Sequence, residues 1–118
     1  MVEYFFDQRN VIFQVSFYGP IIKEDIDKAE RAFDILLVEH PQPITVHIDT
    51  SKARVVDSSL IYYVSDCVKR NQSYCKKIVV YGMSPFLKIL YSSYLKLTSL
   101  EYIHEVVDEP SPFQLSYT

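Results

Sequence analysis

The residues best suited to take part in a reaction lie in one short stretch, Asp57-Ser58-Ser59, where an acid and two hydroxyls precede an apolar run. Asp and Ser are favoured at the start of a helix, where unpaired N–H groups create a partial positive potential. The same position suits a phosphate, so a serine there is a reasonable phosphoacceptor for an external kinase. From these local features alone, a plain helix cap is the favoured interpretation and a phosphorylation site is the alternative.

A hydrolytic triad is a second interpretation of these residue types, with Ser58 as nucleophile and His47 and Asp49 as its partners. However, no G-x-S-x-G nucleophile elbow surrounds the serine. Strand alternation places His47 and Asp49 on a face of the predicted sheet rather than beside Ser58. The sequence thus favours a protein that is not an enzyme, with a small hydrolase as the alternative.

The histidines and cysteines do not show the spacing of metal ligands. His40, His47 and His104 are scattered along the chain, and Cys67 and Cys75 lack C-x-x-C spacing. We therefore expect no metal site and no cofactor, and we expect reduced thiols. Cys67 is at a position typical of a small core residue on a helix.

The hydropathy pattern changes period along the chain and predicts eight elements in the order β-β-α-β-α-β-α-β. Two strands over 3–18 flank the polar turn 7–10 and form a hairpin. The later elements are predicted at helix 21–40, strand 44–49, helix 58–69, strand 78–81, helix 86–97 and strand 102–107. Because strands that alternate with helices pair in parallel through crossovers, we expect an α/β fold with a mixed, mostly parallel sheet.

Polar residues interrupt the predicted strands at Gln14, Ser16, Thr45, His47 and Glu105. A parallel sheet that is covered by helices on both faces would instead show nearly continuous apolar runs. The sequence therefore predicts helices mainly on one face of the sheet and a second face that is partly open.

Size and charge restrict the class of protein. The chain has 118 residues and a formal net charge of −3, which favours one domain over 1–118 with a tail at about 109–118 and disfavours nucleic acid as a partner. Its first residues do not look like a signal peptide, and no apolar run approaches the roughly 18 residues of a membrane span. We therefore expect a cytoplasmic protein without membrane insertion.

Two segments, 44-ITVHIDTSKARVVDSSL-60 and 77-KIVVYGMSPFLKILYSSYLKL-97, carry a resemblance to the STAS domain family. In that family an apolar strand ends in Asp or Asn, and a loop then leads to Asp-Ser-Ser or Asp-Ser-Thr followed by Gly. The second segment resembles the family's later strand, its Ser-Pro entry and its third helix. The resemblance extends over about 3–108 and implies sequential βα units that are wound as a short superhelix.

The STAS resemblance also implies a function, that of an anti-sigma factor antagonist in a partner-switching system. In that branch a partner kinase, which is also the anti-sigma factor, phosphorylates the serine that follows the Asp. Carried onto this chain, Ser58 is the predicted phosphorylation site, with Ser59 as the less favoured alternative. The predicted partner-binding residues are Asp49, Thr50, Asp57, Ser58, Ser59, Leu60, Tyr62 and Tyr63.

This chain departs from the STAS pattern at the start of the predicted helix. Leu60 replaces the usual Gly, and Tyr62 and Tyr63 replace small residues, so bulk is expected at the docking edge. The departure favours a different partner surface or a constitutive binding module. Alternatives are an accessory subunit of a transporter ATPase or sensory complex, and a nucleotide- or lipid-binding STAS domain. Tyr62 and Tyr63, with the Phe5-Phe6 pair, could also form an aromatic interface, which is compatible with a homodimer.

Overall fold

Strands and helices alternate along the chain in the computed structural model, which describes residues 1–55, 57, 59–98 and 104–112. The strands are β1 (Val2–Asp7), β2 (Ile12–Pro20), β3 (Ile44–Arg54), β4 (Cys75–Tyr81) and β5 (His104–Val107). The helices are α1 (Lys23–Glu39), α2 (Leu60–Asn71) and α3 (Pro85–Thr98), and a short 3-10 turn over Gln72–Tyr74 leads into β4. The predicted order of elements is confirmed.

The strands form one mixed sheet in the order β1-β2-β3-β4-β5. β1 and β2 are antiparallel, and each later strand is parallel to the one before it, as predicted. The hairpin turn is held by Asp7, whose Oδ1 accepts the backbone N–H groups of Arg9 at 3.1 Å and Asn10 at 3.2 Å. Val11 completes the turn with a positive φ of 56°.

All three helices pack on the same face of the sheet. In a parallel pair, residues in register point to the same side, so alternate residues of β2, β3 and β4 supply that face. The buried cluster contains residues from each helix together with residues of these strands. The helix residues are Ile26, Phe33, Leu60, Val68 and Leu95, and the strand residues are Phe13, Val15, Phe17, Val46, Ile78 and Val80. The single layer of helices leaves the second face of the sheet to other parts of the chain.

The second face of the sheet is partly open, as expected: Phe5 and Glu105 are exposed near its edges, whereas its centre is buried. Gln14 on β2 is 0% exposed, and His47 and Asp49 on β3 are 8% and 5% exposed. Ser111, which follows β5, is 2% exposed and hydrogen-bonds to Gln14 and Asp49. Buried polar strand residues need such partners, so the segment around Ser111 covers the centre of this face.

Strand β3 is longer than predicted and α2 begins later. β3 continues to Arg54 because Lys52, Ala53 and Arg54 pair with the end of β2, at Tyr18, Gly19 and Pro20. The helix begins at Leu60 rather than at about Ser58.

α3 begins as predicted, with Ser84 before Pro85. The Ser84 Oγ accepts the N–H of Leu87 at 3.3 Å, which is a side-chain cap of the helix.

Within the described residues, no helix is long and apolar enough to cross a membrane.

We expect the stability of the protein to decrease as the pH falls from 7 to 5. Burial lowers the pKa of His104 to about 4, whereas an unfolded histidine has a pKa near about 6.5. Between these two pKa values the unfolded state binds more protons than the folded state does. The stability contributed by neutral His104 is therefore fully present above the unfolded pKa and is lost as the pH falls toward 4. Solvent reaches part of this side chain and weakens the effect, so the loss at pH 5 should be about 1 kcal/mol by chemical denaturation.

A His104→Gln variant tests the origin of this pH dependence, because glutamine does not titrate. Its unfolding free energy should vary less between pH 7 and 5 than that of the wild type. A His47→Gln variant makes the same substitution at a second histidine whose pKa is lowered by burial, so it shows how much of the pH dependence comes from that residue. Equal slopes in the wild type and His104→Gln would contradict the assignment to His104.

Candidate functional site

The start of α2 is exposed at Asp57 and Ser59, and Asp57 makes the hydrogen bonds there. Its Oδ1 accepts the backbone N–H of Ser59 at 3.0 Å and the hydroxyl of Ser59 at 2.8 Å. The Asp57 carbonyl oxygen accepts the N–H of Leu60 at 3.1 Å. Asp57 therefore satisfies donors at the helix start from two residues before the N-cap position, Ser59, whose own side chain makes no cap hydrogen bond.

Asp57 carries a well-stabilised negative charge in this turn. Hydrogen bonds from the Ser59 hydroxyl and then from the Ser59 amide lower the pKa of Asp57, and the charge of Lys23 lowers it further. Lys23 is the first residue of α1, and its Nζ lies 5.4 Å from the centre of the Tyr63 ring. The turn thus joins an exposed carboxylate to a nearby cation from another helix.

The predicted site residues separate into exposed and buried groups at this turn. Ser58, the predicted phosphoacceptor, lies outside the described residues, while Asp57 and Ser59 on either side of it are exposed. Leu60 is only 6% exposed and packs in the core, so the expectation that it adds bulk to the docking edge is wrong. The spacing of Leu60, Val64 and Val68 at every fourth residue predicts this inward direction, whereas the comparison with the STAS pattern placed Leu60 at the docking edge.

The two tyrosines that follow Leu60 have different environments. Tyr62 is 76% exposed, whereas the Tyr63 side chain is half-buried and its hydroxyl donates to the Asp27 carboxylate on α1. Phe5 and Phe6 alternate across β1, and the Phe6 ring contacts His40. These aromatic residues therefore do not share one surface, and Tyr62 is the exposed member beside the turn.

Asp49 and Thr50 lie on opposite faces of β3, and both side chains make hydrogen bonds within the fold. The Thr50 hydroxyl donates to the carbonyl oxygen of Tyr81 at 2.9 Å. Asp49 Oδ1 accepts the N–H of Ser51 at 2.9 Å, and its Oδ2 accepts the N–H of Ser111 at 3.3 Å. Both side chains have structural partners, so neither belongs to the exposed surface at the start of α2.

The polar cluster around Asp49 also bears on the triad hypothesis. His47 packs against the ring of Tyr81 on the same face, and burial lowers the pKa of the imidazole. The sequence predicted that His47 lies on the partly open face of the sheet, but it lies at the buried centre of that face. Leu60 anchors the start of α2 to the other, helix-covered face. The structure therefore gives no support to a triad formed by these residues.

An apolar cavity of about 190 Å³ lies between the sheet and the helices. Its walls come from β2, β3 and β4 and from all three helices. Hydropathy patterns did not predict the cavity, because they identify buried positions but not how well those positions fill the interior.

Comparison with known proteins adds no family assignment. No family model matches the chain, and no curated protein matches it. Among the residues that the structure describes, no group of three or more His, Cys, Asp or Glu side chains could hold a metal ion.

Proposed function

We propose that this chain is a protein-binding regulatory module of the STAS type, whose binding surface is the start of α2 and whose binding is switched by phosphorylation of Ser58. The observation that carries the proposal is the turn in which Asp57 fixes Ser59 and leaves this edge exposed. The five-stranded α/β fold with its parallel strands is compatible with the STAS resemblance.

The hydrogen bonds of the turn favour Ser58 over Ser59 as the phosphoacceptor. The Ser59 hydroxyl already donates to Asp57, so phosphorylation of Ser59 would break a hydrogen bond that holds the helix start. Ser58 is the neighbouring hydroxyl in the chain, between two exposed residues. A phosphate would add about −1.5 to −2 charges next to the Asp57 carboxylate, which would repel an acidic partner surface.

Tyr62 supplies the apolar part of the proposed surface. Its side chain is 76% exposed one turn of helix beyond Ser59. Tyrosine is enriched at the centres of protein interfaces because one rigid side chain offers both apolar area and a hydroxyl. A contact that includes Asp57, Ser59 and Tyr62 would therefore place the regulated charge at the edge of an aromatic anchor.

The proposal is tested by phosphorylation and binding with an anti-sigma-type kinase from the organism that encodes this chain. We expect ATP to add one phosphate to the wild type and to Ser59→Ala, and none to Ser58→Ala, as read by mass spectrometry of the intact protein. In the absence of ATP, Ser58→Asp should weaken kinase binding about tenfold, equivalent to about 1.4 kcal/mol. Tyr62→Ala should weaken it by a similar factor.

A Tyr74→Ala variant is the matched control, because Tyr74 is also exposed, at 51%, but lies beyond the other end of α2. Its affinity should equal that of the wild type. Absence of phosphate, together with unchanged binding by Ser58→Asp, would reject the switch. Binding of a transporter or sensor subunit that depends on Tyr62 but not on Ser58 would instead support the accessory-subunit alternative.

A further inference from the structure

The cavity beneath α2 is apolar on every side that the structure describes. Aliphatic and aromatic side chains of the sheet form its floor, and α2 contributes more of its lining residues than either other helix. Small side chains at Ala29, Val64 and Cys67 leave the space unfilled. Burial raises the pKa of the Cys67 thiol to about 12, so this lining group is uncharged at neutral pH.

The polar groups at the margin of the cavity already have hydrogen-bond or ion-pair partners. Glu30 forms an ion pair with Arg70, with 2.9 Å between Oε1 and Nη2, and accepts a hydrogen bond from Asn71 Nδ2 at 2.6 Å. The Thr50 hydroxyl donates to a backbone carbonyl oxygen, and Tyr91 shares a hydrogen bond with His104. A charged or strongly polar ligand would have to displace these bonds, whereas an apolar one would not.

We propose that this cavity is a binding site for an uncharged apolar molecule about the size of one aromatic ring or a six-carbon chain. An engineered apolar cavity of about 150 Å³ in another protein stays dry and binds benzene. The cavity here, at about 190 Å³, is larger and equally apolar. The cavity does not suit a nucleotide, because a phosphate and a sugar would be buried there without free polar partners.

The proposed ligand site is independent of the proposed switch. The Ala29, Val64 and Cys67 side chains line the interior, while Asp57, Ser59 and Tyr62 are exposed at the helix start. Variants at the two places therefore separate the two proposals. Loss of phosphorylation leaves the cavity intact, and a filled cavity leaves the exposed residues in place.

Thermal unfolding of the purified full chain with toluene or hexane tests the proposal. A ligand at about ten times its dissociation constant should raise Tm by about 5 °C, because it binds the folded state alone. A response to toluene alone indicates a ring-shaped ligand, and a response to hexane alone indicates an alkyl chain; either response supports an apolar site. A Tm that changes by less than about 1 °C with both probes, up to saturation, overturns the proposal.

Ala29→Leu should fill the cavity, raise the Tm of the free protein and weaken probe binding at least tenfold. Ala32→Leu is the matched control on the same helix, since Ala32 packs against the core but does not line the cavity. Its probe affinity should equal that of the wild type. If Ala29→Leu does not fold, Val64→Leu provides the same test from α2. Binding that survives in the folded filling variant, or that is lost in Ala32→Leu alone, would place the ligand elsewhere and overturn the proposal.

Discussion

Replacement of Gly82 by alanine is expected to destabilise the protein by about 3 kcal/mol. Gly82 has a φ of +71°, which alanine adopts at a penalty of about 1–2 kcal/mol. A Cβ at this position would lie 2.5 Å from the Cβ and 2.7 Å from the Cα of Ser51 on the neighbouring strand. Relief of that overlap requires backbone movement, which adds about 1–3 kcal/mol.

The backbone at Gly82 cannot move away easily, because its N–H donates to the carbonyl oxygen of Val107 at 2.9 Å. Gly19→Ala is the matched control: Gly19 has a φ of +67°, yet nothing lies within 4 Å of the added Cβ. It should lose only about 1 kcal/mol from backbone strain. Denaturation with urea measures both variants, and equal losses would contradict the role assigned to the Ser51 contact.

The order of elements could be predicted because it depends on local periodicity. β2 shows a period of two, α1 shows a period of three to four, and the Ser84-Pro85 pair marks the start of α3. The end of β3 depends instead on a neighbour. The 52–54 segment is extended because it pairs with the end of β2, and no local pattern reports that pairing.

The candidate site was predicted in part for the same reason. Asp57 and Ser59 form a hydrogen-bonded helix start, which their residue types and position indicate. The spacing of Leu60, Val64 and Val68 along α2 predicts one apolar, inward-facing side. The expectation of bulk at the docking edge came instead from Leu60 in place of the STAS glycine, and a family pattern does not report where a side chain that departs from it points.

Contacts between distant parts of the chain were outside the reach of pattern analysis. Ser111 lies 97 residues from Gln14 and 62 residues from Asp49, yet it bonds to both. Its neighbours Pro110 and Pro112 mark an irregular tail and do not show where that tail packs. The buried polar residues of β2 and β3 were the available signal, since each requires a partner once its face is covered.

Replacement of Asp49 by alanine is expected to lower the unfolding free energy by about 2–4 kcal/mol. The carboxylate accepts the N–H groups of Ser51 and Ser111 on a face where Asp49 is 5% exposed. Each buried donor that loses its acceptor costs about 1–3 kcal/mol. Hydrogen exchange should show faster exchange of the Ser111 amide, because Asp49 holds that segment against the sheet.

Asp7→Ala isolates the contribution of burial to this effect. Asp7 also accepts two backbone N–H groups, those of Arg9 and Asn10, but in the exposed hairpin turn. Water can replace the lost acceptor there, so the loss should be clearly smaller than that of Asp49→Ala. If Asp7→Ala and Asp49→Ala destabilise equally, the segment around Ser111 does not seal this face. Water then reaches Asp49, and the centre of the second face is open.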